Sequence, residues 1–167
     1  MKRKALRTLL IIACVMVLCV TLLACACDPT ISTFFESEDF EDVISVELIN
    51  YDNPKQKRLR FWAYDHSADL KPFDCAQMSC IEVLDESGET DFFDELCKMR
   101  VRYDYYVYDS PKGICIRLNY SNGDFIIVQQ EYVGRFYSDG SVAEFIGYID
   151  GKDPLKSLVN NYFQSQI

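Results

Sequence analysis

Asp65-His66-Ser67 contains the only histidine of the chain, so any imidazole chemistry has to pass through this tripeptide. A cysteine brought beside His66, with Asp65 or Asp69 orienting the ring, would make a nucleophile and its base. Eight cysteines are present, but none stands in a family signature, and the tripeptide lies in a polar stretch that reads as loop. Closeness in space is what such a pair would have to show. A single histidine excludes metal motifs built on two. The spacing of Cys75 and Cys80 is wide for a zinc knuckle, and no second pair completes a set of four ligands.

Asp85, Ser87, Glu89 and Asp91 alternate in a manner that suggests calcium. An EF-hand loop, however, needs glycine at its sixth position and glutamate at its twelfth. Here Gly88 falls too early and the residues after it read as helix, so these carboxylates are expected to serve a helix start. Two carboxylates could share acid–base work, yet nothing selects a pair among 26 acidic residues. Glycine-rich phosphate loops and Gly-x-Ser-x-Gly elbows are absent from the sequence. No catalytic residue, metal or cofactor is therefore assigned.

The N-terminal 25 residues are more specific. Lys2, Arg3, Lys4 and Arg7 precede Leu9 to Ala24, a run without charge or proline. A cationic head followed by an apolar stretch is the arrangement of an export signal. Leu22-Leu23-Ala24-Cys25 at its end resembles the lipobox of bacterial lipoprotein precursors. That resemblance implies diacylation of the Cys25 thiol and removal of residues 1–24. It implies a location on the outer side of a cell membrane, held by lipid. Cys27 is a second candidate, although it lacks the aliphatic residue three positions back. An uncleaved anchor helix with cytoplasmic positive charges is the competing reading.

Removing residues 1–24 takes four of 17 basic residues and none of the 26 acidic ones, leaving a formal charge of −13. Such a chain lacks the clustered Lys and Arg that drive nucleic-acid affinity. Its sign also disfavours direct adhesion to anionic lipid heads. Outside the cytoplasm thiols can oxidise, and Cys75 with Cys80 is the easiest disulfide to form because both lie in one loop. Buried thiols are the alternative for the folded region.

Residues 25–42 read as the lipidated cysteine and a tether, and residues 43–167 as one α+β domain. Val43 to Tyr51 alternates as a half-buried strand, with Ile44, Val46 and Leu48 on the inner face. Leu59 lies inward on a second strand, and Ile81 and Val83 are in phase on a third. A short helix is expected to run through Met99, capped by Thr90 or Asp91 and burying Phe92, Phe93, Leu96 and Cys97. Asn122-Gly123 predicts a two-residue type I′ hairpin that pairs Leu118 with Ile127. Asp139-Gly140 predicts another, setting Arg135 opposite Glu144 and Val133 opposite Ile146. Asp153-Pro154 starts a helix whose stripe is Leu155, Leu158, Val159, Tyr162 and Phe163. The expected architecture is an antiparallel meander of six to eight strands with a short helix and a C-terminal amphipathic one.

The aromatic stretch "VRYDYYVY" is expected to be a continuous strand with Arg102, Tyr106 and Tyr108 facing outward. Tyrosines beside arginine suit an interface, because the ring supplies area while the hydroxyl stays wet. The functional expectation is a membrane-anchored, non-catalytic binding domain for a protein or envelope component. The alternative is a small hydrolase or thiol enzyme using His66 with a cysteine. Replacing Cys25 by Ser should abolish both lipidation and signal removal, read by mass spectrometry of membrane fractions. A diacylated product of unchanged mass would move the site to Cys27.

Overall fold

The computed structural model describes Thr30, Ile31 and residues 40–60, 70–102 and 106–164, with the backbone alone for Arg60, Tyr106 and Val107. Among the described residues the fold is α+β and mostly sheet: seven antiparallel strands with two helices, and a separate two-stranded ribbon. The strands are β1 (Val43–Tyr51), β2 (Arg58–Arg60), β3 (Met78–Val83), β4 (Val101–Arg102), β5 (Tyr106–Tyr108), β6 (Gly113–Tyr120), β7 (Phe125–Gln129), β8 (Tyr132–Phe136) and β9 (Val142–Ile149). The helices are α1 (Glu89–Lys98) and α2 (Pro154–Tyr162). The large sheet runs β3-β1-β6-β7-β8-β9-β4, and β2 pairs with β5 in the ribbon. Only β6 to β9 form a meander. β1 crosses back to pair with β6, and β3 joins outside it, so the expected uninterrupted meander does not hold.

Both faces of the large sheet are buried. Val46, Leu48, Ile116, Leu118, Ile126 and Val128 pack against Phe92 and Leu96 of α1 and Leu155, Leu158 and Val159 of α2. The opposite face buries Ile49, Tyr51, Cys115, Phe125, Ile127 and Phe136 under Leu70 and Phe73. Strand periodicity explains the division, since successive side chains point to opposite faces. β7 is buried at every position from Phe125 to Val128, as a strand covered on both sides must be.

The hairpin after β6 corrects the expected register. Leu118 stands opposite Ile126, and Arg117 opposite Ile127. The loop holds three residues, closed by Gly123 N–H to Tyr120 O at 3.0 Å and Tyr120 N–H to Asp124 O at 2.9 Å. Gly123 has φ +89°, and Asn122 is not among the residues with positive φ, whereas a type I′ turn requires both. The Asn122 side chain instead accepts from Asp124 N–H at 2.9 Å, an Asx turn. One additional loop residue moves Ile127 to the other face.

Ser138-Asp139-Gly140 repeats this geometry, with Tyr137 N–H bonded to Ser141 O at 2.9 Å. Irregularities between β8 and β9 then restore Arg135 to Glu144 but shift Val133 from Ile146 to Gly147. Gly140 has φ +83°, and a Cβ there would stand 2.2 Å from Phe73 O. Phe73 N–H in turn bonds Gly140 O at 2.7 Å. This contact holds the Phe73 ring over Tyr51, Phe125 and Phe136, with centroids 4.2, 5.1 and 5.5 Å away.

The helix starts also differ in detail from expectation. Gly88, with no side-chain cap, precedes α1, after a 3-10 turn (Glu86–Gly88) capped by the Asp85 carboxylate on Ser87 N–H. Asp153 precedes Pro154 in a left-handed conformation, φ 56°, without a side-chain cap bond; its carbonyl accepts from Ser157 N–H at 3.1 Å.

Part of the expected tether belongs to the fold. Ile31 is 0% exposed in the core under the helices. Its N–H bonds Met99 O at 2.9 Å, and Thr30 bridges Arg100. Phe40 lies 5.0 Å from Phe93, centroid to centroid. Truncating a fully buried aliphatic side chain destabilises by about 2–5 kcal/mol. Ile31→Ala should accordingly lower the melting temperature of the full chain, whereas an unperturbed curve would return this segment to a tether.

Candidate functional site

The expected interface residues do not share a strand. Arg102 ends β4 at one edge of the large sheet, opposite Tyr148, and its Nε lies 3.0 Å from Asp150 Oδ2. Tyr106 and Tyr108 belong to β5 in the ribbon, opposite Arg60 and Arg58. Val101 is fully buried, and Tyr108 is half-buried. Residues 103–105 lie outside the described residues, as do His66, Cys25 and Cys27.

Cys75 and Cys80 are free and exposed thiols rather than a disulfide; Cys97 is partly buried and Cys115 buried, both also free. Burial, reinforced by Glu47, pushes the Cys80 thiol above its ordinary value. Burial and Asp94 do the same at Cys97, and burial alone raises Cys115 strongly. The thiolate is the nucleophilic form, so these three sites are set against nucleophilic chemistry. No group of three or more metal-ligating side chains occurs among the described residues. Asp85 is committed to Ser87, whose hydroxyl and N–H hold its carboxyl below the usual range.

One buried polar group resembles chemistry and deserves dissection. Asp109 and Ser110 follow β5, both essentially sealed from solvent. Ser110 Oγ donates to Asp109 Oδ1 at 3.2 Å and accepts from Asn53 Nδ2. Gln56 Nε2 donates to Ser110 O at 2.6 Å, and Lys57 N–H to Asp109 Oδ1 at 2.8 Å. Lys71 Nζ lies 2.9 Å from Asp109 Oδ2. A serine beside a carboxylate and a lysine has the residue types of a nucleophilic site. Its hydroxyl is sealed, though, and its neighbours are used to satisfy each other. The knot ties the turn before β2, the turn after β5 and the start of the Phe73 segment together.

Of the four large hydrophobic side chains exposed among the described residues, Tyr137 lies in the turn after β8 and the other three on β1 and β3. Ile44 is 66% exposed, Ile81 43% and Val83 55%. The expectation that these three face inward is corrected by two irregularities. The β1–β6 register shifts between Val43 and Ser45, leaving Ile44 without a partner. The β1–β3 register shifts between Leu48 and Ile49, passing over Ile81. A bulge inserts one unpaired residue and turns side chains off the regular alternation. Val83 stands opposite Glu47. β3 is also the last strand of the sheet, so no strand lies beyond it among the described residues. Four carboxylates lie on or next to the edge in the chain, Glu47, Glu82, Asp85 and Glu86, while Arg117 Nη1 reaches Met78 Sδ of β3 at 3.0 Å. Gln164 N–H donates to Glu82 Oε1 at 2.8 Å, so the chain leaving α2 passes beside β3.

Comparison with protein-family models, known proteins and solved structures finds no match. Function has to be argued from this chain alone. No helix among the described residues is long and apolar enough to cross a membrane. The edge combines apolar side chains with negative charge, and among the described residues no further strand pairs with β3. Sequence reading missed it because the pattern of Ile81 and Val83 is that of an inward-facing strand.

The polar knot makes a pH prediction. Burial works against the Asp109 charge, but the Lys57 N–H, the Lys71 ammonium and Ser110 together outweigh it, and its carboxyl lies below the usual range. A lowered folded value means stabilisation that is complete above the unfolded value, about 3.9, and is lost as pH falls through and below it. Thermal melts of Asp109→Asn should show lower stability at neutral pH and a shallower loss in acid than the wild type. Parallel acid profiles would exclude Asp109 as a contributor.

Proposed function

We propose that this chain is a lipid-anchored extracytoplasmic protein whose folded part acts by binding, not by turnover. The Leu22–Cys25 resemblance to a lipobox supports the anchor, and the two cores sharing one sheet support reading the folded part as one domain. The observation that carries the reading is the β3 edge with Ile81 and Val83 turned to solvent. Open edges invite pairing, and proteins usually blunt them with lysine, proline or a covering element. β3 has neither lysine nor proline within Met78–Val83, and what blunts it is Glu82, the irregularity at Ile81 and the contact from Gln164.

The occupant that fits is an extended polypeptide segment added as a further strand, carrying apolar side chains beside basic ones. Backbone pairing would supply affinity and the alternate side chains selectivity. Glu47, Glu82, Asp85 and Glu86 give the charge complement and make capture sensitive to salt.

Peptides alternating apolar and lysine residues, tested against the full chain, should bind more tightly than peptides alternating apolar and glutamate residues. Val83→Lys should weaken the lysine-peptide complex at least about tenfold, equivalent to ~1.4 kcal/mol, with the melting curve preserved. Equal binding of both peptides, or an indifferent Val83→Lys variant, would remove β3 as the binding edge. Loss of cellular function in His66→Ala with silent β3 variants would instead favour the enzymatic alternative.

A further inference from the structure

We infer that Arg117 reads the partner strand at the β3 edge: the added segment carries a carboxylate side chain, opposite Met78 or Cys80, that bonds the Arg117 guanidinium. This rests on the edge proposed above and sharpens its partner. Basic residues answer the carboxylates of the edge, and an acidic residue answers one cation at a defined place.

Backbone phase locates that place. Asp52 N–H bonds Gln77 O at 3.1 Å, and Leu84 N–H bonds Val46 O at 2.8 Å. In an antiparallel pair, alternate residues turn their backbone groups toward the neighbouring strand. Counted from Gln77, Ser79 faces β1, while Met78 and Cys80 face outward. Counted back from Leu84, Glu82 faces β1 and Val83 faces outward. The two counts differ by one residue, because the register passes over Ile81 between Cys80, opposite Ile49, and Glu82, opposite Leu48. An added strand therefore pairs regularly from Met78 to Cys80 and meets the irregularity at Ile81. Residues directly opposite on neighbouring strands share a face, with Cβ atoms about 4.5–5.5 Å apart. A partner side chain opposite Met78 or Cys80 consequently lies on the face those two residues share.

That face holds a cation without an anion. Arg117 belongs to β6, opposite Glu47 of β1. Its side chain crosses toward the edge, where Nη1 lies 3.0 Å from Met78 Sδ. Cζ stands 4.3 Å from the centroid of the Phe125 ring. A thioether is a weak acceptor, and the guanidinium has several N–H donors to satisfy. Nε is sealed from solvent without a partner. Among the described residues no carboxylate is bonded to Arg117, although Glu47 is its cross-strand neighbour. Glu82 stands opposite Leu48, on the helix-covered face, and is engaged by Gln164 N–H. Asp85 and Glu86 follow the far end of β3. Both Arg117 and Glu47 act electrostatically on the exposed Cys80 thiol, so the guanidinium is close to the outward segment. A carboxylate accepts paired N–H bonds from a guanidinium, which neither the ring nor the sulfur supplies.

The test uses the full chain and extended peptides alternating apolar and lysine residues, in which one position at a time is replaced by glutamate or by glutamine. At a position that aligns with Met78 or Cys80, glutamate should bind at least about tenfold more tightly than glutamine. That advantage should vanish in Arg117→Gln and shrink in Arg117→Lys, which keeps the charge without the paired donors. The scan on the wild type decides the matter if the variants fail to fold. No glutamate advantage at any position, with the parent peptide bound and weakened by Val83→Lys, overturns the role of Arg117 and leaves the edge standing. An advantage that persists in a folded Arg117→Gln chain also overturns it. A parent peptide that does not bind, or that ignores Val83→Lys, removes the edge and this inference together.

Discussion

A strand that is apolar on both faces cannot leave either face of its sheet in water. β7 is that strand, at the middle of the seven, with Phe125, Ile126, Ile127 and Val128 all fully buried. Each such side chain contributes about 1.5–3 kcal/mol when removed from water. Two covers are therefore required. The helices supply one, packing Phe92, Leu96, Leu158 and Val159 over Ile126 and Val128. The other cover comes from elsewhere in the chain, and among the described residues it is Leu70 and Phe73.

That second cover depends on a close backbone approach. Phe73 reaches the sheet because Gly140 has no side chain in its way, and the two residues exchange a hydrogen bond of 2.7 Å. Upstream, the Asp109 knot fixes Lys71 and the turns flanking the ribbon. A loop laid over a core brings polar backbone into a dry region, where unpaired groups are costly. Asp109, Ser110, Asn53 and Gln56 answer that need. Their residue types resemble a catalytic set, but their bonds to one another account for them structurally.

With both faces covered, the exposed features of the sheet move to its ends. The β3 edge carries outward Ile81 and Val83 among carboxylates. Lys98, Arg100 and Arg102 lie on the opposite side of the sheet order, around β4, where Thr30 enters. The proposed reading uses the first of these, an acidic and apolar edge where a partner strand would add.

Much of the local structure is legible in the residues. The alternation of Val46 and Leu48, the apolar stripe of Leu155, Leu158 and Val159, and the glycine turns at Gly123 and Gly140 mark elements through short-range sterics and periodicity. What lay beyond local reading was anything decided by a single-residue offset or by a distant neighbour. Asn122-Gly123 is compatible with a two-residue or a three-residue loop, and tertiary burial of Phe125 to Val128 on both faces favours neither by pattern. Ile44 and Ile81 read as inward until bulges against β6 and β1 turn them out. Ile31 stands in an approach that mixes apolar and acidic residues, and only its burial with the helix-covered core makes it part of the fold. The sequence by itself determined which elements form, because hydrophobic period and turn sterics act over a few residues. Tertiary structure decided register, the second cover and the exposed edge, because pairing and burial are settled between segments far apart in the chain.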